Sequence, residues 1–326
     1  MEPLLARLSP FLHLTRITYA VAAVANVWLV VLWSRLVETD RGSTPARLVE
    51  APLWSLLGAG AVVAVGLFAY AMALNDTLDV RRDRALHPDR PLASGRLSMD
   101  AALGVVAAGV IVATLGSLLL GPTAVAMCLA TAAAVLLFDA AAKHLPSFGL
   151  VLVSLIYALH MLIPNAQTGF LWPVLLAMTH MIVVGAVTHR LLDRRPALTA
   201  PALAAAGVGW AFWAAILLVL QVRRAGGLWP ADVPLGALLA PALLLVGFAV
   251  LAWRKSRSAS SRTRAAEKIQ RYGSLWLVLY AAAWLFGAGE PVGGWILAGL
   301  AAAGFLAMTL LRELFSLIEH PVGYRR

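Results

Sequence analysis

The sequence predicts an all-α, polytopic transmembrane bundle of nine or ten spanning helices. Three observations carry that reading. Of the 326 residues, 61% are hydrophobic and only 13% charged, against about 25% charged in ordinary soluble domains. The mean hydropathy is +0.83, and the apolar residues gather into runs. A hydrocarbon core of about 30 Å takes roughly 20 helical residues to cross, which is the length of most of these runs. The third observation, where the basic residues fall, gives the runs a direction.

In order, the apolar runs lie at about 17–36, 52–75, 100–120, 122–138, 148–166, 171–189, 199–221, 234–253, 273–289 and 293–315. Arg16 bounds the first, and no small-residue cleavage pattern follows Trp33, so this segment reads as a retained helix and not a cleaved signal. Gly121-Pro122 separates the third run from the fourth, and Pro146 precedes the fifth. Pro164 and Pro173 bracket the turn into the sixth, and Gly289 to Gly294 divides the last two. The fourth and ninth runs are the shortest. The chain, 1–326, reads as a single domain.

A cytoplasmic N-terminus puts Arg7, Arg16, the arginines from Arg81 to Arg96, Lys143, Arg190, Arg194, Arg195, the basic stretch Arg254 to Arg271 and the C-terminal arginines on one side. Only Arg35, Arg41, Arg47, Arg223 and Arg224 fall on the other, a split of 21 to 5 among the 26 Lys and Arg. That is the bias of the positive-inside rule, so both termini and the loops that carry the acids are expected in the cytoplasm. The net charge of +10 then belongs to topology. With no soluble basic domain to carry it, no nucleic-acid partner is expected; the partner is the lipid bilayer. The lone Cys128, inside an apolar run, excludes a disulfide framework. The Ser-rich basic stretch from Arg254 to Arg262 reads as a flexible loop over anionic headgroups.

Chemistry concentrates where the second run ends, in Asn75-Asp76-Thr77-Leu78-Asp79-Val80-Arg81-Arg82-Asp83, followed by Arg90-Pro91-Leu92-Ala93-Ser94-Gly95-Arg96. If the helix continues for two turns past Leu74, Asp76, Asp79 and Asp83 stand at i, i+3 and i+7 and share a face. Like charges so placed repel by roughly 0.2–0.5 kcal/mol per exposed pair, and more near lipid, so a cation must sit among them. A hard divalent ion is one solution, since it takes one or two carboxylates and fills its shell with water and substrate phosphates. Pairing with Arg81, Arg82, Arg84 and Arg90 is the other.

The stretch from Asn75 to Ser98 resembles the first aspartate-rich motif of the UbiA superfamily of intramembrane prenyltransferases, including its trailing R-P-L-x-S-G. The resemblance implies a helical enzyme with a central cavity open to the cytoplasmic side. Such an enzyme binds a prenyl diphosphate through Mg2+ and passes the prenyl group to an acceptor. On this comparison Asp76, Asp79 and Asp83 are catalytic metal ligands, Asn75 completes the inner wall, and Arg90 neutralises the diphosphate. The family usually has nine spanning helices, so a tenth run is a departure.

The family's second aspartate-rich motif lies at the inner end of the sixth helix, which here reads Val187-Thr188-His189-Arg190-Leu191-Leu192-Asp193-Arg194-Arg195-Pro196. Asp193 fits the second acid of a D-x-x-x-D pair and is carried over as catalytic, while His189 stands where the first acid would be. His189 reads as a neutral ligand, a proton acceptor or a helix-end residue among headgroups. Arg194 and Arg195 suit a diphosphate clamp, because guanidinium forks match phosphate oxygens. Between the fourth and fifth runs, Phe138-Asp139-Ala140-Ala141-Ala142-Lys143-His144 resembles a family loop reading Y-D-A-x-x-K, which makes Lys143 a diphosphate contact. Tyr157 and His160 stand where related sequences often carry Arg and Asn, which implies a different acceptor pocket. His160 and His180 read as hydrogen-bonded core residues. Aromatic stabilisation of a prenyl cation would fall to Tyr157, Phe138 or Trp172.

Three rivals follow from the same residues. A terpene cyclase would quench the cation internally. An isoprenoid-lipid binder without turnover would explain the altered second motif. A secondary transporter fits poorly, because transporters place charges near mid-membrane on broken helices, whereas these acids cluster at helix ends.

Overall fold

The computed structural model describes residues 2–37 and 44–319, and all regular structure among them is helical. Arg41, Arg325 and Arg326 of the charge count lie outside the described residues. The α-helices are α1 (Glu2–Thr15), α2 (Val21–Leu36), α3 (Ala46–Glu50), α4 (Leu53–Leu78), α5 (Val80–Leu86), α6 (Met99–Leu118) and α7 (Pro122–Ala140). They continue as α8 (Pro146–Met161), α9 (Trp172–Leu191), α10 (Ala200–Ala225), α11 (Leu239–Ser258), α12 (Arg262–Gly287) and α13 (Pro291–Glu319).

Each apolar run appears as a helix. Seven helical segments are long and apolar enough to cross a membrane, while α2 and α8 are apolar but shorter. The ninth run forms only the second part of α12, which begins three turns earlier in the charged segment at Arg262. The basic stretch is therefore mostly helix, with only residues 259–261 as a loop between α11 and α12. α11 runs through Ser258, and the Ser261 hydroxyl caps α12 by accepting from the Arg264 amide at 3.2 Å. Lys and Arg are good helix formers and Ser a good N-cap, so local propensity outweighs the charge run. The helices α1, α3 and α5 have no apolar run behind them. α1 packs against α4, and its Leu14 is buried with Ala73, Leu92, Leu97 and Ala102.

Lipid tails give no hydrophobic drive for helices to pair, so close backbone approach matters more than apolar content. α4 and α6 show this. A Cβ on Gly66 would stand 2.8 Å from the Gly109 carbonyl oxygen, and one on Gly109 would stand 2.9 Å from that of Gly66. The two backbones touch there. The outward faces of α6, α10 and α11 expose Leu115, Phe212 and Leu243, an inversion of the soluble pattern that suits contact with lipid.

The core joins α2, α4, α7, α8, α9 and α12. Far from the acids, Trp33 of α2 stacks on Phe170 with ring centroids 4.3 Å apart. Trp284 and Trp229 meet the same Phe170 edge-on at 5.3 and 5.5 Å. These four rings close that end of the bundle.

Candidate functional site

α4 carries the acid array out of the bundle. It bends at Asp79, where φ is −90° and ψ 2°, and α5 resumes at Val80. The bend keeps the helical ladder, since the Asp79 amide donates to Asn75 O at 3.0 Å and the Asp83 amide to Asp79 O at 2.8 Å. Asp76 and Asp83 consequently stay on one face and are both buried. A single Arg90 nitrogen, Nη1, lies 2.6 Å from Asp83 Oδ2 and 3.4 Å from Asp76 Oδ1. Arg16 Nη2 adds a second cation to Asp76 Oδ1 at 2.8 Å. Arg16 adopts a left-handed backbone, φ 46° and ψ 35°, in the turn after α1. For a non-glycine residue that conformation costs about 1–2 kcal/mol. The sequence offers no sign of this contact, because Arg16 and Asp76 are 60 residues apart.

The third acid belongs to another cation. After α7, a 3-10 turn at Ala142–His144 brings Lys143 back toward α4. Lys143 Nζ lies 2.9 Å from Asp79 Oδ2, 3.2 Å from Asn75 Oδ1 and 3.6 Å from Asp139 Oδ1. Asn75 also donates from Nδ2 to Asp76 Oδ1 at 3.3 Å, which joins the Arg90 and Lys143 halves into one network. Asp139, buried in the last turn of α7, is part of the network although its sequence motif gave it no role.

The second motif contributes differently. Asp193 is not brought to the other acids. Its side chain is 74% exposed, its backbone takes φ 46°, and its nearest cation is Arg195 Nη2 at 3.8 Å. The His189 ring nitrogen Nε2 lies 2.9 Å from the Pro196 carbonyl and ties this loop to the end of α9. Arg194 instead faces the first motif. Desolvation by the surrounding chain, then repulsion from Arg82 and Arg90, pulls its pKa below the ordinary arginine value, even though one face stays open to solvent. Among the described residues neither Arg82 nor Arg194 has a carboxylate partner within salt-bridge distance. The loop after α9 thus turns the expected clamp Arg194 toward Arg82 and Arg90 and leaves Asp193 outside.

Other candidates are placed as follows. Trp172 is at the far end of the bundle, its Nε1 donating to Leu228 O at 2.7 Å. His180 is the hydrogen-bonded core residue expected, between Gly273 O at 3.0 Å and the Tyr280 hydroxyl at 3.3 Å. His160 is buried, but its Nε2 lacks a partner among the described residues, contrary to expectation.

Magnesium can be tested against this donor set. Among the described residues no group of three or more His, Cys, Asp or Glu side chains is gathered as a metal site. Magnesium does not need one, since it is ordinarily held by one or two carboxylates with water and substrate phosphates. Asp76 and Asp83 already share one cation, and they, Asp79 and Asn75 Oδ1 offer hard oxygen donors. The residues fit the ion.

An all-helical bundle with apolar faces turned outward and a carboxylate–guanidinium network at one end defines an integral membrane protein. The UbiA prenyltransferase family matches residues 46–272, and the chain belongs to that family. The match stops before the apolar part of α12 and α13. The fold is also that of two solved proteins. One is described under structural and mechanistic insights into digeranylgeranylglyceryl phosphate synthase in membranes, with TM-score 0.55 and 19% identity over 86% of this chain and 98% of that one. The other is an apo UbiA homologue from Aeropyrum pernix K1, with TM-score 0.50 and 20% identity over 80% of this chain and 94% of that one. No curated protein matches the chain.

Proposed function

We propose that this protein is a magnesium-dependent intramembrane prenyltransferase acting on a prenyl diphosphate and an acceptor. The observation that carries the reading is the single Arg90 nitrogen shared by Asp76 and Asp83, a cation position between two buried carboxylates. Asp76 and Asp83 would hold the ion, with Asp79 and Asn75 as further oxygen donors. Bound magnesium supplies electrophilic neutralisation of the diphosphate oxygens. Arg90, released from the acids, turns with Lys143 and Arg194 to the leaving diphosphate. The allylic C–O bond breaks with its electron pair going to the diphosphate. A lone or π pair of the acceptor then forms the new bond to carbon, and the acceptor gives up a proton. Asp193, exposed as it is, acts at most through Arg195.

The prenyl chain lies in a central apolar cavity that opens on the cytoplasmic side, where water is excluded from the cation. The charge asymmetry of the loops supports that orientation and cytoplasmic termini. α2, α4 and α6 to α12 supply nine spans, α13 a tenth, and 1–326 forms one domain.

The test is diphosphate release by purified protein from geranyl, farnesyl and geranylgeranyl diphosphates, with and without magnesium, in the presence of a membrane lipid extract. Magnesium-dependent release with a prenylated product is expected, and Asp76→Asn abolishes it. Release without any acceptor, giving a cyclic hydrocarbon, would replace transfer by cyclisation. Donor binding without turnover across a broad acceptor panel would overturn both.

A further inference from the structure

Away from the acids, α9 and α11 each pack along α12, and a cleft of about 300 Å³ opens between them. Its floor is His180, Val184, Phe248 and Ile269, all buried, and its rim includes Val183 and Leu245, both exposed to the lipid side. The polar atoms on the floor are already engaged. Both His180 nitrogens have partners, and Thr179 Oγ1 donates to Leu175 O at 2.7 Å while accepting from Trp210 Nε1 at 3.1 Å. The slot therefore offers an occupant hydrocarbon contact and nothing else.

One end of the slot is different. Trp253 and Ser256 line it there, and the Arg257 guanidinium lies 4.9 Å over the Trp253 ring. Arg254, Lys255 and Arg257 follow on the same turns of α11, and none has a carboxylate within salt-bridge distance among the described residues. A hydrocarbon slot open to the bilayer along its side and ending in unpaired positive charge matches a chain joined to an anionic headgroup. We propose that it binds an anionic phospholipid, one acyl chain along Val184, Phe248 and Ala249 and the phosphate against Arg257, which stands over Trp253 at the slot's end. The site is separate from the acid network, so it stands whether or not the chain transfers prenyl groups.

Native mass spectrometry of the full chain, delipidated and offered phosphatidylglycerol or phosphatidylcholine with identical acyl chains, tests this. Retention of phosphatidylglycerol about tenfold above phosphatidylcholine is expected. Arg257→Gln lowers that preference about fivefold, the worth of one cation near an anionic lipid surface, while Arg254→Gln, on the opposite face of α11, leaves it within about twofold. Ala249→Trp fills the slot and lowers phosphatidylglycerol retention about tenfold. If that variant fails to fold, Leu245→Trp on the exposed rim makes the same reading. Equal retention of the two lipids, undiminished binding by the slot-filling variant, or displacement of phosphatidylglycerol by geranylgeranyl diphosphate would each overturn the proposal.

Discussion

Arg16 Nη2 and Asp76 Oδ1 meet at 2.8 Å, joining the turn after α1 to the end of α4. In the protein as it stands Arg16 helps neutralise a buried carboxylate, so it competes for any metal that Asp76 binds. Arg16→Gln should therefore do two opposite things. Without magnesium it removes one of two cations from Asp76, costing about 1–2 kcal/mol because Arg90 remains and Arg16 is partly exposed. With magnesium that loss is recovered, and half-saturation with the metal falls several-fold. Melting curves with EDTA and with millimolar magnesium check both, and an unchanged magnesium requirement would remove Arg16 from the competition.

The sequence revealed the helices well and their partners poorly, for a physical reason. A chain in lipid must satisfy its backbone within each helix, so every span leaves a long apolar run. α1, α3 and the charged start of α12 leave no such run, so hydropathy does not reveal them. Contacts among helices are set by small residues and by side chains far apart in sequence, which hydropathy does not encode. Asp76, Asp79 and Asp83 were legible because they are local to one helix end. Arg16 was not, since only the tertiary fold brings it there. Asp193 was placed by motif position alone, and a left-handed turn aims it at solvent.

Asp83 and Asp193 give the cleanest contrast. Asp83 is buried and shares Arg90 with Asp76, whereas Asp193 is largely exposed. Asp83→Asn removes one of the two charges that hold the cation, and kcat/KM should fall at least a hundredfold, or about 3 kcal/mol in transition-state stabilisation. Asp193→Asn should stay within about twofold. Arg194→Gln, by contrast, should raise the donor KM about tenfold. Steady-state kinetics with one donor at saturating magnesium separates the three.

Lys143 is held at 2.9 Å from Asp79, with Asp139 at 3.6 Å on the turn before it. Lys143→Met leaves Asp79 without its cation and removes a diphosphate contact, so both KM and kcat should worsen, together by about a hundredfold in kcat/KM. Asp139 touches no substrate in this arrangement and acts by positioning the ammonium. Asp139→Asn should raise the donor KM several-fold while kcat stays within about twofold, and Lys143→Arg should recover part of the activity lost in Lys143→Met. A kcat loss in Asp139→Asn as large as that in Lys143→Met would instead put Asp139 among the reacting groups.

Gly109 tests whether the packing of α4 sets the position of the acids. A Cβ there would stand 2.9 Å from both the Gly66 carbonyl and the Tyr70 amide nitrogen, which are backbone atoms of α4 and cannot rotate away. Gly109→Val must therefore push α4 and α6 apart, and overpacking of this kind costs about 1–3 kcal/mol. Gly104 lies on the same helix with nothing within 4 Å of its would-be Cβ, so Gly104→Val has the same local helix propensity change and no clash. Gly109→Val should lower the melting temperature by several degrees while Gly104→Val leaves it nearly unchanged. Because α4 ends in Asp76 and its neighbours, the displaced helix also moves Asp76 relative to Arg90, which sits on the loop before α6. The magnesium requirement of Gly109→Val should accordingly rise along with its instability. If stability falls while the metal requirement holds, the acids are positioned by the α5 turn and Arg90 alone, and the α4–α6 contact serves only to hold the bundle together.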